Sequence, residues 1–161
     1  VAKKKLLSIN PYANILDYNQ KITKSNVKLL ENSSIIIDAS DNWKTMLLIN
    51  EFASDKNIPL LSSSVAGFDI QLILLNNTDK DHLCLECIFP NKKEPNLARC
   101  DTVGILGTAA GLAGVLSAQK VINYLMDFPE NKQLLTLIDC KNLSINHINI
   151  KNISTCRLQK N

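Results

Sequence analysis

Two carboxylates and an amide stand close together in the segment Asp38-Ala39-Ser40-Asp41-Asn42. The segment ends a β-branched run that begins at Ser34, and such runs form parallel strands covered on both faces. Ligands of open α/β sheets bind at the carboxyl ends of these strands, where a carboxylate can hold Mg²⁺ against phosphate groups. Asp41 or Asn42 could instead serve only as the cap of the helix that follows. The spacing alone leaves a ligand role and a capping role open.

A cysteine pair provides a second candidate site. Cys84 and Cys87 are two residues apart, so both thiolates could bind one Zn²⁺, and Cys156 is a possible third ligand. A closed structural zinc site takes four ligands. Candidates for the fourth are Cys140, His82, His147 and Gln159. Redox activity is disfavoured because Ile88-Phe89-Pro90 interrupts the helix that a thioredoxin-type motif requires. Zinc binding and unligated thiols both remain open.

Cys100 lies between Arg99 and Asp101, just ahead of a helix that starts within the range 104–111. A neighbouring guanidinium and a helix N-terminus both favour the thiolate, which is the nucleophilic form of cysteine. Cys100 is therefore either a nucleophile or an ordinary loop cysteine. Cys140 lies in an apolar strand and is expected to be a small buried residue.

Helices and strands must alternate to position these residues. Helices are predicted from Ala2 to Ser8, from Ser25 to Glu31 and from Ile105 to Met126, and another helix begins after Asp41 or Asn42. Strands are predicted over 13–18, 34–38, 58–62, 65–75, 134–139 and 144–150, and the strand over 65–75 is interrupted by Gly67. This alternation predicts an α/β sheet.

Composition limits the class of protein. The chain has 161 residues, 45% of them apolar, which suits one globular domain. A net charge of +3 is too weak to indicate a nucleic-acid partner. Five cysteines without a secretory signal indicate a reducing compartment, and the cytoplasm is the expected location. The uncharged run from Val103 to Ala118 is rich in Gly and Ala, so it predicts a tightly packed soluble helix rather than a membrane span.

Several motifs occur in an order that resembles one protein family. They are Ile9-Asn10-Pro11, the segment 38–42, Ile58-Pro59-Leu60, the segment 66–71, the Cys84 and Cys87 pair, Cys100, Gly104-Ile105-Leu106-Gly107 and Ala118-Gln119. This ordered set extends from residue 1 to about residue 156 and resembles the ThiF/MoeB/HesA group of ubiquitin-activating-enzyme-like adenylyltransferases. The resemblance implies the second half of a Rossmann-like sheet, followed by an antiparallel extension.

Members of that family use Mg-ATP to adenylate the C-terminal carboxylate of a small ubiquitin-like sulfur-carrier protein. The resemblance places Asp41 at the position of the family's Mg-ATP aspartate and Asn42 at a nucleotide-binding position. Cys100 matches a cysteine that, in some members, forms a covalent intermediate with the carrier or with a sulfur-relay partner. A homodimer and a sulfurtransferase partner are further implications of the resemblance.

The resemblance also bears on zinc and on the extent of the domain. Cys84, Cys87 and Cys156 match three of the family's four zinc cysteines, and Gln159 stands where the fourth would fall. The family's glycine-rich nucleotide loop would precede residue 1. We therefore expect residues 1–161 to form one domain, the C-terminal portion of a longer adenylyltransferase, which is inactive by itself.

Two other functions can be compared with this one. The chain could be a non-catalytic carrier-binding or scaffolding relative that lacks the nucleotide-binding half. A nicotinamide-dependent dehydrogenase is disfavoured, because it would leave the Cys84 and Cys87 pair and the placement of Asp41 and Asn42 unexplained.

Overall fold

The structure is a computed structural model that describes residues 1–78, 83–89, 104–128 and 134–150. Its helices are α1 (Ala2–Ile9), α2 (Trp43–Asp55), α3 (Leu85–Ile88) and α4 (Gly107–Leu125), with a 3₁₀ helix at Val27–Leu30. Its strands are β1 (Ile36–Asp38), β2 (Leu60–Ala66), β3 (Asp69–Leu75), β4 (Leu134–Asp139) and β5 (Ser144–Asn149).

The five strands form one mixed sheet in the order β1-β2-β3-β4-β5. β1 and β2 are parallel and are connected through α2, whereas every other neighbouring pair is antiparallel. The predicted α/β fold, with an antiparallel extension, is confirmed. Asp38, the last residue of β1, pairs with Ser62, while β2 continues to Ala66. The carboxyl end of β1 therefore lies beside the middle of β2.

The sheet is covered on both faces. On one face Leu60 and Ile73 pack with Ile49 and Ala53 of α2 and with the α3 segment. On the other face Ala109 and Ala113 of α4 pack against Ile70 and Ile138. The small side chains of Ala109 and Ala113 let α4 lie close to the strands. The glycines Gly107, Gly111 and Gly114 are exposed and face open space, so the tight packing predicted for a Gly- and Ala-rich helix rests on the alanines alone. No helix among the residues described here is long and apolar enough to cross a membrane.

Three of the predicted elements are wrong in type or extent. Residues 13–18 form no strand, and Leu16 and Tyr18 remain exposed. The helix predicted from Ser25 to Glu31 is a short 3₁₀ helix preceded by Asn26. Asn26 Oδ1 accepts a hydrogen bond from the Thr23 N–H at 2.7 Å, and its Nδ2 donates to the Lys21 carbonyl at 2.9 Å. The Asn26 side chain therefore stabilises a local turn instead of an α-helix.

The strand predicted over 65–75 is two strands, because the chain reverses at Gly67. Ala66 pairs with Asp69, so Gly67 and Phe68 form a two-residue hairpin loop. Gly67 has a φ of 59°, which glycine adopts without steric cost and which suits the first position of such a loop. The Gly67 N–H donates to the Gly104 carbonyl at 3.2 Å, so this hairpin also holds the segment that leads into α4.

The remaining elements follow the sequence closely. The helix from Ala2, the strand ending at Asp38 and the helix after Asn42 form as expected. β4 and β5 form the predicted terminal pair, in which Leu137 lies opposite Asn146. The long helix starts at Gly107 rather than Ile105, and it ends at Leu125, a residue before the predicted Met126.

Candidate functional site

A cavity of about 940 Å³ lies at the carboxyl ends of β1 and β2. The turn after β1 and the start of α2 form one wall, through Asp41, Asn42 and Trp43. Phe89, directly after α3, and Gly114 of α4 contribute two further walls. The cavity is therefore at the edge of the sheet where α/β proteins bind ligands.

Asp41 and Asn42, for which the spacing alone left a ligand role and a capping role open, have different environments. The Oδ1 atom of Asn42 accepts hydrogen bonds from the Thr45 N–H at 3.0 Å and from the Thr45 hydroxyl at 3.2 Å. Asn42 is thus the N-cap of α2. Asp41 is exposed and lines the cavity. Because Asn42 caps the helix, the Asp41 carboxylate is available to bind a cation.

Asp38 is the buried carboxylate of the same turn. It is only 2% exposed, and its Oδ1 accepts a hydrogen bond from the Ser40 N–H at 3.0 Å. Its Oδ2 is buried and has no hydrogen-bond partner within the described part of the chain. Burial raises the pKa of Asp38, and the hydrogen bonding from Ser40 opposes this rise. The carboxylate fixes the turn that presents Asp41 and Asn42 to the cavity.

Both charge and aromatic surface are available for a ligand. The charged residues along the cavity, among those that the structure describes, are Lys21, Asp41 and Lys44. The rings of Trp43 and Phe89 meet edge to face, with centroids 5.3 Å apart and an interplanar angle of 88°. Such aromatic pairs are favourable in this arrangement. A cation with an attached polyanion would therefore meet both a carboxylate and lysines here.

Cys84 and Cys87 lie together in the core beside α2. Cys84 is fully buried, Cys87 is 7% exposed, and their Sγ atoms are 3.9 Å apart. This distance is too long for a disulfide, whose sulfurs are about 2.05 Å apart. Two thiolates, each about 2.3 Å from a tetrahedral zinc ion, would lie about 3.8 Å apart, so the pair fits half of a zinc site. Across the described ranges, no group of three or more metal-ligating residues occurs.

Two of the proposed fourth ligands have other structural roles. Cys140 packs against the core cluster under α4, which is separate from the cluster that contains Cys84. His147 lies on β5, and its Nδ1 is 3.2 Å from the Thr136 hydroxyl across the strand pair. Cys100, Cys156, His82 and Gln159 lie outside the described residues.

The sequence did not reveal the role of Asn50. It lies on α2, is 1% exposed, and its Oδ1 accepts a hydrogen bond from the Leu85 N–H at 3.0 Å. This bond connects α3, and with it the cysteine pair, to the helix that Asn42 caps. A polar residue among the apolar positions of a predicted helix was the available signal, since a buried amide must find a partner.

The fold and the cavity together define an α/β protein with a large cavity at the carboxyl end of a parallel strand. The chain belongs to the ThiF family, whose model matches residues 1–160. The SAMP-activating enzyme E1 of Haloferax volcanii is 31% identical over 121 residues, which cover 74% of this chain and 44% of that protein. The sulfur carrier protein ThiS adenylyltransferase of Escherichia coli is 27% identical over 157 residues, or 97% of this chain and 62% of that protein.

Solved structures show the same fold. The crystal structure of Escherichia coli MccB with ATP superposes with a TM-score of 0.77 at 16% sequence identity. The match covers 99% of this chain and 50% of the MccB chain. The chain thus spans about half the length of the relatives it matches.

Proposed function

We propose that the protein to which this chain belongs adenylates the C-terminal carboxylate of a ubiquitin-like sulfur-carrier protein with ATP. One observation carries the proposal: an exposed carboxylate, Asp41, lies in a large cavity at the carboxyl end of β1. The names of the relatives, which are adenylyltransferases and activating enzymes, support the reaction class. The same arrangement would serve a carrier used in thiamine or in molybdopterin cofactor synthesis.

The reaction requires one anion to attack another. An oxygen of the carrier carboxylate would form a bond to the α-phosphorus of ATP, and the bond from that phosphorus to the bridging oxygen of pyrophosphate would break. Mg²⁺, when bound, would neutralise and orient the phosphates, and Asp41 is the residue that would hold it. Lys21 and Lys44, which line the cavity, would attract the nucleotide. Asn42 would contribute by holding the start of α2 beside the phosphates, through its hydrogen bonds to Thr45.

The cysteines provide the second part of the proposal. Cys84 and Cys87 would supply two zinc ligands and Cys156 a third, with Gln159 in the position of the family's fourth cysteine. The buried pair and its 3.9 Å separation support the first two ligands. Cys100 would accept the carrier or a sulfur atom from a sulfurtransferase. These roles belong to a homodimeric cytoplasmic enzyme, in which residues 1–161 form a single domain that is inactive alone.

The test is ATP–pyrophosphate exchange by the whole gene product with Mg²⁺ and a panel of small carrier proteins that end in Gly-Gly. Asp41→Ala should lower exchange by at least about a hundredfold and leave the melting temperature unchanged, because the side chain is exposed. Asp17→Ala is the matched control, since Asp17 is an exposed carboxylate whose ion pair with Lys3 contributes little. Full exchange by Asp41→Ala would contradict the assignment of Asp41.

A non-catalytic carrier-binding or scaffolding relative is the second candidate. The chain spans 44% and 62% of the two named relatives, so a protein that lacks their remaining length would lack much of the nucleotide site. Carrier binding without exchange, measured on the whole gene product, would favour this candidate.

A further inference from the structure

The buried carboxylate of Asp38 is energetically unusual for a residue that serves only the fold. Its Oδ1 accepts the Ser40 N–H, which closes the turn after β1, but its Oδ2 has no hydrogen-bond partner among the residues described. A buried charge with an unsatisfied oxygen is more costly than a buried neutral amide.

An asparagine at this position would serve the turn equally well. Its Oδ1 could accept the same Ser40 N–H, and the negative charge would be gone. The fold alone would therefore favour an amide over the carboxylate at Asp38. The negative charge must therefore have a role other than stabilising the turn.

The position of Asp38 indicates that its charge acts on the cavity. Asp38 begins the turn whose fourth residue, Asp41, lines the cavity, and both charges lie at the carboxyl end of β1. The other charged residues lining the cavity, of those described, are Lys21 and Lys44. Along the described lining of the cavity two lysines therefore stand against one carboxylate, that of Asp41, and Asp38 adds a second negative charge behind it. A buried charge is screened less than an exposed one, so Asp38 strengthens the negative potential at Asp41.

We infer that Asp38 is a positioning residue of the nucleotide site, whose buried negative charge and turn hydrogen bond together set the affinity of Asp41 for a divalent cation. The inference rests on the proposed function, because it presumes a metal–nucleotide complex in the cavity. Asp38 itself does not touch the ligand in this arrangement. It acts through the orientation and the electrostatic environment of Asp41.

The experiment compares Asp38→Asn, Asp38→Ala and the control Asp139→Asn in the whole gene product. Melting temperature, the Mg²⁺ concentration that gives half-maximal exchange, and binding of Mn²⁺ with ATP by electron paramagnetic resonance are measured for each. Asp139 is a suitable control because it also accepts backbone N–H groups in a turn, from Lys141 at 2.8 Å and Asn142 at 3.1 Å, and does not line the cavity.

Asp38→Asn should keep or raise the melting temperature and raise the half-maximal Mg²⁺ concentration about tenfold. Asp38→Ala should lower the melting temperature as well, because the bond to Ser40 is lost. Asp139→Asn should lower the melting temperature and leave the Mg²⁺ requirement unchanged. An unchanged Mg²⁺ requirement in Asp38→Asn overturns the inference. If the melting temperature of Asp38→Asn is as low as that of Asp38→Ala, the inference is also overturned, since Asp38 would then be an ordinary structural residue.

The two proposals fail in different ways. If the wild type shows no exchange with any carrier, the proposed adenylation fails, but Mn²⁺–ATP binding still decides the role of Asp38 because it requires no carrier. Weaker Mn²⁺ binding in Asp38→Asn than in the wild type supports the inference even then. Equal binding in the two proteins, or none in either, overturns it.

Discussion

The side-chain oxygen of Asn42 starts α2 by accepting two hydrogen bonds from Thr45. We expect Asn42→Ala to lower the free energy of unfolding by about 1 kcal/mol, the usual cost of a lost N-cap. Asn42→Ser should retain most of the stability, because a serine hydroxyl can accept the same backbone N–H. Urea denaturation of the three proteins measures the effect. Equal stability of Asn42→Ala and the wild type would show that Thr45 is satisfied by water instead.

Asp38 and Asp139 have opposite pKa shifts and should respond oppositely to pH. Burial raises the pKa of Asp38 above 3.8, so its charge costs stability at neutral pH, and this cost disappears as the pH falls towards 3.8. Hydrogen bonds from Asn142 and Lys141 lower the pKa of Asp139, so its stabilising effect is present at neutral pH and is lost as the pH falls through its lowered pKa.

The measurement is the melting temperature from about pH 3 to about pH 8. Asp38→Asn should exceed the wild type at neutral pH and converge with it in acid. Asp139→Asn should fall below the wild type at neutral pH and also converge in acid. A constant difference between Asp38→Asn and the wild type across the range would mean that the Asp38 charge does not affect stability.

For single residues, sequence spacing selected the candidates but did not show which of them caps the helix. Residue types and their order were enough to select Asp41 and Asn42 as a pair. Which of them caps α2 depends on the backbone angles of the turn, and these are set by the hydrogen bond from Ser40 to Asp38. Asp38 also pairs with Ser62 of β2, and this tertiary pairing is not contained in local spacing.

Among the elements, those with a strong local pattern were predictable from sequence. The run ending at Asp38 is β-branched and continuous, and α4 has small residues at helical spacing, so both form where expected. Apolar and polar residues alternate over residues 13–18 as they do in a strand. A strand also needs a neighbouring strand to pair with, and a local pattern of alternation does not provide that partner. Gly67 could have indicated the hairpin, because glycine followed by one residue fits a two-residue loop.

The short helix α3 illustrates why other elements were not predictable. It is four residues long and cannot be stable by itself. Its position depends on the Leu85 hydrogen bond to Asn50 and on the packing of Phe89 against Trp43. Both contacts are with α2, more than thirty residues earlier in the chain. A sequence window around Cys84 and Cys87 therefore contains little information about the helix they occupy.

For the molecule as a whole, we expect the proposed homodimer to form through the outer face of α4. Val115 is 67% exposed and Ile122, one heptad later, is 48% exposed. If a second copy covers this face, Val115→Glu should convert the dimer to a monomer, because a buried unpaired charge is costly. Sedimentation velocity on the whole gene product measures the mass.

Asn32→Glu is the control for that experiment, since it adds the same charge at an exposed turn outside α4. The control should remain dimeric. A Val115→Glu protein that stays dimeric would place the interface on another surface, and a monomeric wild type would contradict the homodimer itself.

The strand order also has a consequence for synthesis of the chain. β3 lies at the centre of the sheet, but its partner β4 begins at residue 134, far beyond the end of β3 at residue 75. During translation at about 5–20 residues per second, one edge of β3 in the β2–β3 hairpin therefore stays unpaired for several seconds. β3 carries one charge, at its first residue Asp69, but the run Ile70-Gln71-Leu72-Ile73-Leu74-Leu75 that follows has no charge and no proline and is therefore prone to aggregate. Slow translation between residues 75 and 134 should accordingly reduce the yield of folded protein, whereas chaperones that bind extended apolar segments should restore it.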